Sequence, residues 1–361
     1  MGLVSLIFIM YSLSEMDHFR KRAMIWVFVV LITAILAPVA RGGQTTAPQA
    51  ADKLERLFAK NDVTIAVMDS GLGGLSIMAE LSAKLKEARI FRSVRMVFFN
   101  ALFSNDSGYN SLRTRGEKIA VFNSALESLA RNVRPDAILV GCNTLSVFIP
   151  EAPFFRAEKI PVLGIIEPGV ELIARALEDA PSAPVLIFGT ETTIGEDEHR
   201  RRLLGLGVKP DRIVTQACPE LASFIEKDPQ SDDTGLLIES YVDEALAKIR
   251  GPKSKAVVSL NCTHYGYSLD LWRKAFEDRG VQAVILNPNS RMAEAMVPAR
   301  FRNRWLSTTI QAEAWSMVEI GPEKIAGLGA WLRKISPETA AALAGYALKP
   351  DLFEWQKFVH K

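Results

Sequence analysis

The chain has 361 residues, of which 48% are apolar and 23% charged, the balance of an ordinary globular protein. Its 43 Lys and Arg against 41 Asp and Glu leave a formal charge of +2; spread along the chain, that charge excludes a polyanion-seeking surface, and no nucleic-acid partner is expected. Three cysteines, at 142, 218 and 262, are too few and odd in number for a disulfide framework, and a chain this long buries a sufficient core without one.

Near the N-terminus, Arg20-Lys21-Arg22 precedes an apolar run from Ala23 to Ala37, interrupted by Thr33, and then Pro38-Val39-Ala40-Arg41-Gly42. A basic stretch, a short apolar stretch and small residues describe a signal peptide or a membrane anchor over residues 1–43. The run is short for a spanning helix, which needs about 20 residues. Met16 gives such a segment a more usual start than the apolar stretch Leu3 to Met10. Export to the periplasm or membrane tethering is therefore expected, and a cytoplasmic location only under a misassigned start. Residues 44–61, opening with the polar, Pro-containing Gln44 to Ala51, read as a linker.

After the linker, β-branched runs alternate with helical spacing. Strands are predicted at Val63–Met68, Val94–Phe99, Ala137–Val140, Val162–Ile165, Val185–Phe188, Arg212–Thr215, Ala256–Leu260 and Ala283–Leu286. Helical patterns lie between most of them, as at Ser76–Leu85, Gly116–Ala130, Val170–Leu177 and Leu236–Ile249. This alternation implies an α/β fold with doubly wound parallel sheets. Beyond Arg300 the tail carries Trp305, Trp315, Trp331 and Trp355 amid helical patterns, read as packing residues.

In open α/β sheets ligands bind beyond the carboxyl ends of the strands. Four such ends carry polar clusters: Asp69-Ser70-Gly71, Cys142-Asn143-Thr144, Thr190-Glu191-Thr192-Thr193 and Cys262-Thr263-His264-Tyr265. The first opens a glycine-rich turn, but a dinucleotide fingerprint would need glycine where Ser76 stands. Its glycines instead suit close backbone approach and a small anion such as a carboxylate, with Asp69 receiving an ammonium group, orienting a base or simply capping the turn. Cys142 stands where a following helix N-terminus would favour its thiolate. Cys262 has the same context, with His264 two residues on. Either thiol, taken alone, also fits a core position. Zinc would want four ligands, and neither the other cysteines nor the four histidines supply paired spacing, so no metal is expected. Inverting a stereocentre needs one group to remove a proton from one face and another to deliver one to the opposite face. A thiolate and a thiol at equivalent strand ends can do this in both directions. No lysine motif for a pyridoxal Schiff base is evident, and no cofactor is expected.

In these motifs the chain resembles the glutamate racemase family of the aspartate/glutamate racemase superfamily, in order from about Thr64 to Asn289. Ala66 to Ser76 looks like the family's opening Asp-Ser-Gly-x-Gly-Gly segment, Gly141 to Ser146 like its first catalytic motif and Cys262 to Tyr265 like its second. Gly164 to Gly169, Gly189 to Ile194 and Gln216 to Pro219 also look like family segments. The resemblance implies two pseudo-symmetric lobes facing a central cleft, with residues 62–160, completed by 287–361, as lobe 1 and 161–286 as lobe 2. It implies Cys142 and Cys262 as the acid/base thiols, with Asp69, His264 and Glu226 assisting. Ser70, Asn143, Thr144, Thr192 and Thr263 would hold the substrate, with Tyr109 at the pocket wall. Cys218 inherits no catalytic role and reads as a packing thiol. Homodimerisation also enters through the family, not through any residue pattern.

The expected activity is interconversion of L- and D-glutamate for peptidoglycan precursor supply. The family's Asp-Thr-Ala-Arg-x-Pro-Tyr-Gly segment is altered here to the stretch from Asn100 to Asn110. Leu145 replaces alanine, Asn261 a glycine and Gly266 a proline. The alternatives are a related racemase acting on aspartate or another small acid, such as a hydantoin, and an exported amino-acid binder without catalysis.

Overall fold

The computed structural model describes residues 47–359, apart from 106, 158–159 and 252. The segment read as a signal or anchor, residues 1–43, lies outside the described residues. Among those described, no helix is long and apolar enough to cross a membrane.

All eight predicted strands form, as β1 (Asp62–Asp69), β2 (Ser93–Asn100), β3 (Ala137–Val140), β4 (Val162–Gly164), β5 (Val185–Gly189), β6 (Ile213–Ala217), β7 (Lys255–Asn261) and β8 (Gln282–Leu286). Two more follow in the tail, β9 (Thr309–Ser316) and β10 (Ala347–Leu348). They make a six-stranded sheet in the order β10-β9-β2-β1-β3-β4 and a four-stranded sheet in the order β6-β5-β7-β8. Every strand pair is parallel. Parallel sheets need covering on both faces, and the strands accordingly read as continuous apolar runs. In β1 the period of two divides the layers: Ile65 and Val67 join one core cluster, Ala66 and Met68 the other.

The order of both sheets places the chemistry. In the first, β2 and β3 lie on opposite sides of β1; in the second, β6 and β7 lie on opposite sides of β5. Where strand order reverses, the loops leaving neighbouring strands diverge and open a crevice at the carboxyl edge. The four polar clusters leave β1, β3, β5 and β7, the strands that flank these two reversals.

Three sequence expectations change. Part of the linker is a helix, Ala47–Phe58, because Leu54, Leu57 and Phe58 fall on one face at helical spacing. Leu57 and Phe58 are buried, and the Phe58 ring packs on Phe91 and Phe301. The tail, expected to be helical, contributes β9 beside β2 over eight residue pairs from Ser93–Thr309 to Asn100–Ser316. Trp315 therefore belongs to a strand, and the two-residue alternation of Ile310, Gln311, Ala312 and Glu313 is the signal. Finally, β4 pairs with β3, so the first sheet takes one strand from beyond residue 160.

Candidate active site

The carboxyl ends of the two sheets enclose a cleft of about 490 Å³ lined by Asp69, Ser70, Tyr109, Cys142, Asn143, Thr144, Glu226, Cys262, Thr263 and His264. Ten of the eleven residues singled out from the sequence thus share one cavity. The eleventh, Thr192, is absent from its wall: its hydroxyl accepts a hydrogen bond from Lys118 Nζ at 3.0 Å. The neighbouring Thr190 and Glu191 line the cleft instead, two residues and one residue earlier, at the start of the helix Glu191–Gly195.

Asp69 ends β1 at 1% exposure. Its two carboxylate oxygens take separate donors, Ser70 N–H at 2.7 Å and the Thr263 hydroxyl at 2.7 Å, so one side chain ties the β1 loop to the β7 loop. Burial holds this carboxyl above its usual range, against the pull of the His264 charge and the Thr263 hydrogen bond.

Ser70 Oγ lies 3.0 Å from Cys142 Sγ. Cys142 precedes a single helical turn, Asn143–Ser146. The expectation that this helix start favours the thiolate does not hold. Burial first, and then the Asp69 charge, push the Cys142 thiol well up. One turn carries too small a dipole to offset both.

Cys262 stands in different surroundings. Its Sγ is 3.5 Å from His264 Nδ1, and His264 Nε2 is 2.7 Å from Glu226 Oε1. Leu72 N–H also donates to Glu226 Oε1, at 2.9 Å, while Lys324 Nζ donates to Oε2 at 2.7 Å. Burial alone would disfavour the imidazolium; the hydrogen bonds and charges of Cys262 and Glu226 outweigh it and hold His264 well above its ordinary value. Burial likewise opposes the Glu226 carboxylate, yet His264 and Lys324 together lower it to about 2. The result is a buried carboxylate–imidazolium pair with a positive charge beside the Cys262 sulfur.

The glycines of the β1 turn are required by space. A Cβ on Gly73 would lie 2.2 Å from Thr263 Oγ1 and 2.7 Å from His264 N. A Cβ on Gly71 would lie 3.0 Å from Glu226 Oε1. This is the close backbone approach expected from the sequence, and its neighbour is the second cysteine loop.

Other polar groups await partners. Both amide atoms of Asn143 and the Tyr109 hydroxyl are buried without a hydrogen bond among the described residues, and both side chains line the cleft. Thr144 Oγ1 lies 2.8 Å from Thr190 Oγ1 and 3.3 Å from Thr193 Oγ1, joining the loops after β3 and β5. Cys218, read as a packing thiol, donates to Gln216 O at 3.7 Å and also reaches the cleft wall. The altered segment contributes Leu102, Ser104, Asn105 and the run from Ser107 to Asn110 to that wall, and Ser111 follows it there. Asn100, which stands where the family has aspartate, binds the tail through Ser316 Oγ at 3.1 Å. Lys324 was not anticipated. It lies in the helix Pro322–Ile335, among residues read only for packing, and no local motif marks it.

No protein-family model matches the chain. A glutamate racemase from Campylobacter concisus is 30% identical over 214 residues, covering 58% of this chain and 73% of the relative. A glutamate racemase from Bacillus anthracis superposes with a TM-score of 0.60 at 18% identity, over 81% of this chain and 99% of that one. One from Francisella tularensis, solved in complex with D-glutamate, gives 0.57 at 18% identity over 76% and 95%. Fold and relatives together define an isomerase of the amino-acid racemase class. The chain belongs to the glutamate racemase family.

Two outcomes are expected from this geometry. Gly73→Ala forces the Thr263–His264 backbone away: a displacement near 1 Å lowers turnover by roughly 100-fold, and the overpacked contact lowers the melting temperature by several degrees; steady-state rates and thermal melts check it. Glu226 ionises more readily in the folded chain than at its ordinary 4.5, so its stabilisation is full above that pH and is lost as pH falls towards about 2. Glu226→Gln therefore costs roughly 1–3 kcal/mol at neutral pH, and denaturant titrations from pH 7 to pH 2 should see the difference from the parent protein disappear.

Proposed function

We propose that the protein interconverts L- and D-glutamate by two-base proton transfer, with Cys142 and Cys262 as the bases on opposite faces of the substrate's α-carbon. The observation that carries this reading is the placement of both thiols on one cleft, each beside a different polarising group. In one direction the Cys262 thiolate removes the α-proton while the Cys142 thiol protonates the opposite face. In the other, the two exchange roles. The D-glutamate bound by the Francisella relative supports the choice of substrate, and peptidoglycan supply is the corresponding use of the product.

The unpaired groups acquire tasks on this reading. The Asn143 amide can donate to a substrate carboxylate and accept from an ammonium group, and the Tyr109 hydroxyl can donate. Ser70, Thr144 and Thr263 supply hydroxyls at the same wall. A substrate ammonium placed against Asp69 would cancel the negative charge that now disfavours a thiolate at Cys142. Binding would thus lower the barrier to using that sulfur as a base. Removal of the α-proton puts charge on the α-carboxylate, which fixed donors around the one-turn helix Asn143–Ser146 would stabilise. We retain residues 1–43 as a signal or anchor; in an oxidising compartment the 5% and 6% exposure of Cys142 and Cys262 limits access to oxidants.

The test is solvent-deuterium exchange at the α-carbon across acidic and neutral amino acids. Glutamate should exchange fastest, and Cys142→Ser and Cys262→Ser should each abolish racemisation. Preference for aspartate or another acid would replace the substrate assignment. Binding of glutamate without exchange would replace catalysis by binding alone.

A further inference from the structure

The helix Pro322–Ile335, in the tail, reaches the site through one residue. Lys324 Nζ donates to Glu226 Oε2 at 2.7 Å, and this is the cation on that oxygen; Oε1 serves Leu72 N–H and His264. The approach is built in. One turn along the helix, a Cβ on Gly327 would lie 2.7 Å from the carbonyl oxygen of Lys227, so only glycine lets the helix pack this closely on Leu221–Lys227, the helix that carries Glu226. Lys324 is 30% exposed and Glu226 9% in their side chains, so the ammonium enters from the cleft while the carboxylate stays covered.

We infer that Lys324 is a positioning residue that acts through Glu226 to keep His264 protonated and aligned on Cys262. This rests on the two-base reading for its catalytic meaning but not for its electrostatics. Two cations share the Glu226 carboxylate, one on each oxygen. Without Lys324 the buried carboxylate keeps only the imidazolium and the Leu72 N–H as compensation, and an undercompensated buried charge neutralises itself. The nearest proton source is the imidazolium 2.7 Å away. Its Nε2 proton passes to Glu226 Oε1, leaving a neutral acid, a neutral imidazole and no positive charge beside the Cys262 sulfur. The other ionisable groups facing this pair do not restore it. Asp69 acts on His264 through its charge but is engaged by Thr263 and Ser70, and the Tyr267 hydroxyl donates to Leu72 O at 3.3 Å. Cys142 meets this chain only indirectly, through Asp69, and touches neither His264 nor Glu226 by a hydrogen bond.

The experiment compares the full chain with Lys324→Met and Lys324→Arg. Alkylation of each cysteine by iodoacetamide is followed by mass spectrometry between pH 5 and pH 9, beside kcat, KM and thermal melts. Lys324→Met should slow labelling of Cys262 at neutral pH by about tenfold, leave the Cys142 profile in place and lower kcat more than it raises KM. Lys324→Arg should restore most of both, because it returns a cation to Oε2. An unchanged Cys262 profile, or Cys142 and Cys262 profiles that move together with the melting temperature, overturns the inference. Loss of selective Cys262 labelling in Lys324→Met, with no α-proton exchange in the parent protein, would leave the Lys324 coupling standing and remove the racemase reading.

Discussion

Between the glycine turn after β1 and the loop after β7 there is no room for a methyl group: a Cβ at residue 73 would overlap Thr263 Oγ1 at 2.2 Å. The rest of the site follows from that contact. It brings Thr263 within 2.7 Å of Asp69 and lets Leu72 N–H meet Glu226, so that elements of both sheets share one hydrogen-bonded seam. Because the contact is made by backbone and short side chains, it holds the facing loops with little rotamer freedom. The thiols sit at the two ends of this seam, each one residue or two beyond its strand.

The reaction proposed for the cleft is symmetric, whereas its two ends differ. Cys142 is buried beside a carboxylate, and burial and that charge oppose negative charge on sulfur more than the Ser70 hydroxyl favours it. Cys262 faces an imidazolium held by a carboxylate and a lysine. Before substrate arrives, one sulfur is placed to be a thiol and the other has a cation beside it. A zwitterionic substrate carries the charges that can level the two, its ammonium group complementing Asp69. The asymmetry of the site thus suits the proposed pair of transfers, in which one group removes a proton and the other delivers one.

Much of this was legible because parallel sheets write themselves as short apolar runs, and the eight runs predicted are eight strands. Asp69, Cys142 and Cys262 were legible because each ends such a run or follows it by a residue or two, whereas Glu226, inside the helix Leu221–Lys227, was reached only through the family resemblance. What escaped has physical reasons. Residues 309–316 alternate weakly, with alanines at two inward positions, and become a strand because β2 offers an open edge. The helix from Ala47 opens in a polar, proline-containing stretch and is held by Leu57 and Phe58. Thr192 and Thr190 differ by two residues in a run of threonines, and which hydroxyl reaches the cleft depends on where the helical turn begins. Lys324 lies 98 residues from the carboxylate it binds; only tertiary packing at Gly327 puts them together.

The central claim is that two different groups handle the α-proton on opposite faces. The direct measurement starts from one pure enantiomer of glutamate in deuterated water and stops the reaction early. The account predicts a product that carries deuterium at its α-carbon while the remaining substrate keeps its protium, from either enantiomer. A product that retains the substrate's own proton, or substrate and product labelled alike from the first turnovers, would point to a single base and contradict it.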